Sequence, residues 1–224
     1  MVKICVSGSK GKMGSRVIDL AKKDPELEVV AGFDVDDNAD LGITACECLI
    51  DFTAPKATMD HLALCEKLKK PIVIGTTGLS EEEKSKIKEA SNRVPVVISA
   101  NMSVGVNLLF KLVGEASKVL GEDYEVNMVE AHHAEKKDAP SGTAKEIAKI
   151  VRSVRGDIEI PIDSIREGEI VGEHTITFES DADLLEITHS AKTRDIFAKG
   201  ALKAAKFVVG KKSGLFTMKE VLAL

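Results

Sequence analysis

ICVSGSKGKMGSRVIDL, residues 4–20, falls into three pieces in a fixed order. Ile4-Cys5-Val6 is a short apolar run suited to a buried strand. Gly8, Gly11 and Gly14 follow at even spacing, and Met13, Val17, Ile18, Leu20 and Ala21 then recur at helical intervals. Glycines at a strand-to-helix turn let the backbone approach a pyrophosphate, which the helix N-terminus attracts. The spacing G-x-x-G-x-x-G departs from the standard G-x-G-x-x-G, so the loop alone is a weak motif. Its setting strengthens it. The next β-rich run, LEVVAGFD, ends at Asp34, 20 residues after Gly14, where an acid meets the adenosine ribose hydroxyls.

Working outward, CLIDFTAP, PIVIGTTG and VPVVISAN are further strand candidates, separated by helical stretches. Ser80-x-x-Glu83 forms a capping box that opens one of those helices. Continuously apolar strands alternating with helices predict a parallel sheet covered on both faces. GTTG (75–78) and SANMS (99–103) follow the fourth and fifth strands. Ligands of open α/β sheets bind at those carboxyl ends, and small hydroxyl residues with bare amides suit a nicotinamide and its ribose. The regularity stops near Asn101. A helix is expected over 106–120, a strand in YEVNMVEAHH, a helix over 143–154, and three close strands in EIPIDSIRE, EHTITFES and DLLEITHSA. This grouping predicts a second, α+β layer. The final stretch, FAKGALKAAKFVVGKKSGLFTMKEVL, reads as helical.

EAHHAEKKDAPSGTAKE, residues 130–146, places His132, His133, Lys136 and Lys137 just ahead of Pro140-Ser141-Gly142-Thr143. Thr143-x-x-Glu146 predicts a capping box, which would present the Gly142 and Thr143 amides at a helix N-terminus as a carboxylate or phosphate site. Two imidazoles and a lysine beside that terminus can bind an anion and supply protons near neutral pH. Zinc ligation by Glu130, His132 and Glu135 is disfavoured because the spacing fits no metalloenzyme helix motif, so no metal is expected. Lys137 and the lysines of KKSGLF read as solvated charge.

The bulk numbers bound these readings. The 224 residues are 44% hydrophobic and 30% charged, an ordinary globular balance. A net charge of −5 argues against a nucleic-acid binder and makes any anion site a local basic pocket. Aromatics are 4% and tryptophan is absent, which disfavours base-stacking platforms. Cys5, Cys46, Cys48 and Cys65 have apolar neighbours and no metal-ligand spacing, as expected of buried reduced thiols. The apolar run at the start is too short for a signal peptide, and no stretch suits a membrane span, so a soluble cytoplasmic protein is expected.

The segment EAHHAEKKDAPSGTA resembles the signature of the dihydrodipicolinate reductase family, enzymes of diaminopimelate and lysine biosynthesis. SGSKGKMG, IDFTAP, VIGTTG, ANMSVGVN, IVGEHTITF and SGLF are similar to the family in matching order, nearly end to end. The resemblance implies an α/β Rossmann-type dinucleotide-binding domain (residues 1–103 and 194–224). It also implies an α+β substrate domain (104–193) whose open mixed sheet builds a homotetramer. By resemblance, His132 is the proton donor and Lys136 the second catalytic residue, with His133, Gly142 and Thr143 contacting substrate. The implied cofactor contacts are Gly8, Ser9, Lys10, Gly11, Lys12, Met13, Asp34, Gly75, Thr76, Thr77, Ser99, Ala100, Asn101 and Met102.

These implications yield a specific expectation: NAD(P)H-dependent hydride transfer to an unsaturated cyclic dicarboxylate. Two features depart from the family pattern. DVDDNADLGITACECLIDF leaves little between the second and third strands, so the adenine-side loop is trimmed. Val35 follows Asp34, where NADP-competent members often carry Arg. Asp34 would repel a 2′-phosphate, so NADH is the preferred cofactor, with Lys10 and Lys12 leaving some use of NADPH. One rival, a semialdehyde dehydrogenase, needs a thiol nucleophile, and no cysteine lies within 99–146. Another, a non-catalytic NAD(P)-sensing protein, leaves His132, His133 and Lys136 idle.

Overall fold

The computed structural model describes all 224 residues, which fold into two compact units. The first comprises Met1–Val104 and Asp195–Leu224, the second Gly105–Arg194.

The first unit is a six-stranded parallel sheet built from β1 (Val2–Ser7), β2 (Leu27–Phe33), β3 (Cys48–Asp51), β4 (Ile72–Ile74), β5 (Pro95–Ile98) and β10 (Gly214–Phe216), in the order β10-β5-β4-β3-β1-β2. Alternate residues feed two separate cores. Ile4, Val6, Ile50, Val73 and Val97 pack on one face with Ala198, Ala201 and Ala205 of α7 (Asp195–Val208) and Val17 of α1 (Lys12–Ala21). Cys5, Leu49, Ile72, Ile74 and Val96 pack on the other with Leu62 of α3 (Pro55–Leu68) and Ile87 of α4 (Glu81–Ala90). Both faces being buried is why these strands read as continuous apolar runs. Chain order reverses direction between β1 and β3, the position at which open α/β sheets bind ligands.

Two elements of this unit differ from the sequence reading. A helix, α2 (Ala39–Ala45), fills the short connection between β2 and β3, capped by Asn38, whose Oδ1 accepts from the Asp40 and Leu41 amides. The C-terminal stretch is not helical throughout. Gly214–Phe216 leaves α7 and pairs in parallel with β5 before α8 (Met218–Leu222). A three-residue edge strand borrows its order from its neighbour and carries no periodicity of its own.

The second unit is a mixed four-stranded sheet, β7-β6-β8-β9, made of β6 (Glu125–His132), β7 (Ile162–Arg166), β8 (Glu173–Glu179) and β9 (Leu184–Ser190). β6 runs parallel to β7 and antiparallel to β8. Leu109 and Val113 of α5 (Val104–Leu120) and Ile147, Ala148 and Val151 of α6 (Gly142–Arg155) bury Val126, Met128, Ile176 and Phe178 on one face. Residues of opposite parity point the other way, and Val129, Ile165 and Leu184 stay 39%, 43% and 54% exposed. No helix is long and apolar enough to cross a membrane.

Candidate active site

The glycine loop joins β1 to α1. Gly8 lies at φ +76°, a left-handed conformation that favours glycine, and a β-carbon on Gly14 would sit 2.1 Å from the Gly8 carbonyl oxygen. The turn is therefore as tight as a backbone cradle requires. Asp34 follows β2 directly, and its Oδ2 accepts from Ser9 Oγ (2.7 Å) and the Lys10 amide (2.9 Å). The Lys10 ammonium lies 3.8 Å from Asp37. Lys12 and Met13 begin α1.

A cavity of about 470 Å³ opens over this loop, lined by Gly8, Gly11, Asp34, Phe52, Thr53 and His61 among others. The last three were not singled out from sequence. Beneath it lies Asp51, fully buried at the end of β3. Its Oδ1 accepts from the Thr53 amide and the hydroxyls of Thr53, Thr58 and Thr76, at 2.6 to 3.2 Å. Its Oδ2 accepts from His61 Nδ1 at 2.7 Å. Thr76 thus turns its hydroxyl inward, while Thr77 beside it is exposed. Gly75 allows Phe52 to lie against the chain, since a β-carbon there would come within 2.2 Å of the ring. After β5, Ser99 Oγ donates to the Asn101 carbonyl (2.7 Å), Asn101 Oδ1 accepts from the Ser103 amide (2.9 Å), Ala100 is exposed and Met102 is buried.

The basic segment belongs to the second unit. Successive even-numbered residues of β6 point toward the helices, so Glu130 and His132 continue the row begun by Val126 and Met128. Pairing sets Glu130 opposite Ser164 on β7 and His174 on β8, and His132 opposite Arg166. The fully buried Glu130 carboxylate accepts from His132 Nδ1 (2.5 Å) at Oε2. At Oε1 it accepts from Arg166 Nη2 (2.6 Å) and the Ser141 amide (3.3 Å). Burial works against the Glu130 charge, but Arg166, Ser164 and His132 outweigh it and hold the carboxyl at about 2. Burial lowers His132 below the ordinary imidazole value, helped by the charges of Lys136 and Arg166, while Glu130 pulls it upward. His174, 4% exposed, packs edge-on to His132 with ring centroids 5.1 Å apart. Burial keeps His174 neutral down to about 4. One ligand atom each of Glu130, His132 and His174 lies within 4.8 Å of the others, yet the Arg166 guanidinium already supplies the cation that the carboxylate needs.

The cap of α6 corrects the sequence reading. Helix geometry starts at Gly142, and Ser141 rather than Thr143 is the N-cap, its Oγ accepting from the Ala144 amide (3.2 Å). Ser141 wins because its backbone is extended (φ −62°, ψ 158°), the cap conformation, whereas Thr143 is already inside the first turn. Gly142 and Thr143 consequently occupy the first two helical positions, whose amides point out of the terminus. Lys136, in the loop after β6, donates to Asp138 Oδ1 (2.7 Å). His133 is partly buried and its carbonyl accepts from the Lys136 amide. His132, Lys136 and the α6 terminus are thus brought into one region. Glu130, Arg166 and His174 join them, although sequence reading assigned the last two no role. All four cysteines are buried in the first unit.

Comparison with known proteins places this geometry. The family described as "Dihydrodipicolinate reductase, N-terminus" matches residues 2–102, and "Dihydrodipicolinate reductase, C-terminus" matches 105–222. The 4-hydroxy-tetrahydrodipicolinate reductase of Citrifermentans bemidjiense is 40% identical, with all of both chains covered. That of Caldanaerobacter subterraneus subsp. tengcongensis is 43% identical over 99% of this chain and 98% of its own. The dipicolinate-bound dihydrodipicolinate reductase of Paenisporosarcina sp. TG-14 shares the fold, with a TM-score of 0.86 at 23% identity over 98% of each chain.

Proposed function

The chain belongs to the dihydrodipicolinate reductase family, and from that membership we propose how its residues perform the reaction. It catalyses the NAD(P)H-dependent reduction carried out by 4-hydroxy-tetrahydrodipicolinate reductases in diaminopimelate and lysine biosynthesis. The substrate is an unsaturated cyclic dicarboxylate. Dipicolinate, held by the Paenisporosarcina enzyme, is an anion of this shape.

The first unit suits the cofactor. Its loop excludes any side chain at Gly14, and Asp34 stands at the wall of the adjoining cavity. Gly8 to Met13 would hold the pyrophosphate, Asp34 the adenosine ribose, and Gly75 to Thr77 with Ser99 to Met102 the nicotinamide end. When bound, the cofactor supplies the hydride. NADH is preferred, because Asp34 and Asp37 disfavour a 2′-phosphate and the 97% exposed Val35 offers no countercharge. Lys10 is drawn toward Asp37, which weakens what it could do for NADPH.

The second unit acts on the substrate. The first-turn amides of α6 at Gly142 and Thr143, with His133, bind carboxylate. Lys136 holds a second carboxylate or relays charge to His132. Reduction leaves electron density on the ring, and His132 quenches it by donating the proton on Nε2. The observation that carries this assignment is the His132 Nδ1 bond to buried Glu130, which leaves Nε2 as the nitrogen able to deliver a proton. The exposed Val129, Ile165 and Leu184 face supports a further proposal, that the open sheet assembles a homotetramer.

Steady-state kinetics with freshly generated substrate test the reading. His132→Gln lowers kcat by roughly 10²- to 10⁴-fold with NADH affinity retained. More than half of wild-type kcat at saturation would rule His132 out as the acid. A kcat/KM for NADPH above that for NADH would overturn the cofactor preference.

A further inference from the structure

Glu130 is a charged side chain with no exposed surface, and burying an ion is costly unless its partners repay it. Hydrophobic residues at this row of β6 would pack as Val126 and Met128 do. Partners from three elements converge instead, Ser164 of β7 among them. Arg166 comes from β7, Ser141 from the cap of α6, and His132 from the same strand two residues on. A carboxylate has no hydrogen to give, so at 2.5 Å the hydrogen between Oε2 and Nδ1 belongs to the imidazole. That bond fixes the ring's tautomer and its rotation about χ2.

Resting on the assignment of His132 as the acid, we infer that Glu130 is its positioning residue. It holds Nδ1–H in the strand row so that Nε2 alone carries the transferable proton, and it stabilises the imidazolium against the surrounding cations. Those cations are Arg166 on β7 and Lys136 in the following loop, the latter drawn off toward Asp138. His174 on β8 packs against the ring from the remaining side and stays neutral. His189 lies beyond it, opposite His174 on β9. Arg166 has a part in the same device. Its Nη2 donates to both Glu130 Oε1 and the Asp138 carbonyl at 2.6 and 2.7 Å, tying the carboxylate to the loop that bears Lys136.

A purely structural ion pair and a positioning pair predict different pH behaviour. His132 acts as an acid, so kcat falls as pH rises through the imidazolium's titration. Removing the Glu130 charge destabilises the imidazolium, so Glu130→Gln moves that limb to lower pH by about one unit or more. Removing the Arg166 charge does the opposite, so Arg166→Gln moves it to higher pH. Glu130→Asp, which keeps the charge, leaves the limb near its wild-type place while reducing kcat. Opposite displacements from the two halves of one ion pair do not arise from loosened packing.

The experiment is nitrogen-15 NMR of the full-length enzyme labelled at its five histidines, with kcat–pH profiles of the same proteins. In the wild type, neutral His132 is the Nδ1–H tautomer. In Glu130→Gln the tautomer mixes, the titration midpoint drops, and kcat falls at least about tenfold, less than on losing the acid itself. A His132 that keeps its tautomer and midpoint in Glu130→Gln overturns the inference, as does a downward or absent shift in Arg166→Gln. The second variant carries the test should the first misfold. Wild-type kcat in His132→Gln would instead sink the assignment of the acid, which separates the two failures.

Discussion

The glycine loop and the β6 cluster are the two places proposed to receive an anion, and they are built by opposite means. The loop works by excluded volume. A β-carbon at Gly14 has no place to go, and the bare backbone that results is what the proposed phosphate would meet. The cluster works by compensated charge. The fully buried Glu130 carboxylate is tolerable only because the partly buried Arg166 guanidinium and the His132 Nδ1–H meet it. Shape specified by backbone is local in sequence. Charge specified by side chains is spread over separate strands.

The contrast makes distinct demands that can be tried in turn. The largest effect concerns proton linkage in the second unit. His174 is held neutral, its folded value of about 4 lying below the ordinary 6.5. The unfolded chain therefore takes up the proton first as pH falls. The contribution of His174 is fully present above about 6.5, declines through the window and is gone below about 4, a change of about 3 kcal/mol. Glu130 titrates the other way in type but with the same sign, its contribution present above 4.5 and lost toward 2. Urea unfolding of the second unit at pH 7 and pH 4.5 measures the His174 window, and His174→Asn should flatten it. An unchanged slope would mean that charge compensation does not govern this region.

Next comes the loop. Gly14→Ala should weaken NADH binding by about 10- to 100-fold through overpacking against Gly8. Histidine titration in the second unit should stay as in the wild type. Titration calorimetry showing wild-type affinity would break the claim that shape rules there. The smallest effect sharpens the boundary between the two modes. Ser141 caps α6 with its Oγ, which accepts from the Ala144 amide, and the same hydroxyl meets His174 Nε2 at 3.0 Å. Ser141→Ala should cost about 1 kcal/mol, the ordinary worth of a cap, read as a lowered urea midpoint.

What was legible beforehand follows the same division. Gly8, Gly11, Gly14 and Asp34 announce themselves because spacing within one βαβ unit encodes the turn and the strand end. The five apolar strands of the first unit were readable because both faces are buried. His132 and Lys136 stand out by clustering. Glu130 was read only as a disfavoured zinc ligand, since a lone acid in EAHH gives no hint that Arg166 and His174 wait 36 and 44 residues downstream. Register pairing alone discloses them. Thr143-x-x-Glu146 satisfies the one-dimensional capping-box pattern, and only the backbone dihedrals show that Ser141 is the cap. Phe52, Thr53 and His61 escaped notice for a related reason. Thr53 and His61 matter through Asp51, the acid that ends the apolar run CLID, whose carboxylate gathers hydroxyls from the loop after β3, from α3 and from the loop after β4.

The first unit is interrupted in sequence, and this sets a timetable for its synthesis. α7 covers Ile50, Val73 and Val97, but its residues leave the ribosome after the 90 residues from Gly105 to Arg194. At ~5–20 residues per second, the nascent chain carries an apolar sheet face covered only by α1 for roughly 5–18 s, while the contiguous second unit can already close. The N-terminal half of the protein is thus the last to mature, and the interval before α7 emerges is when a chaperone has most to hold.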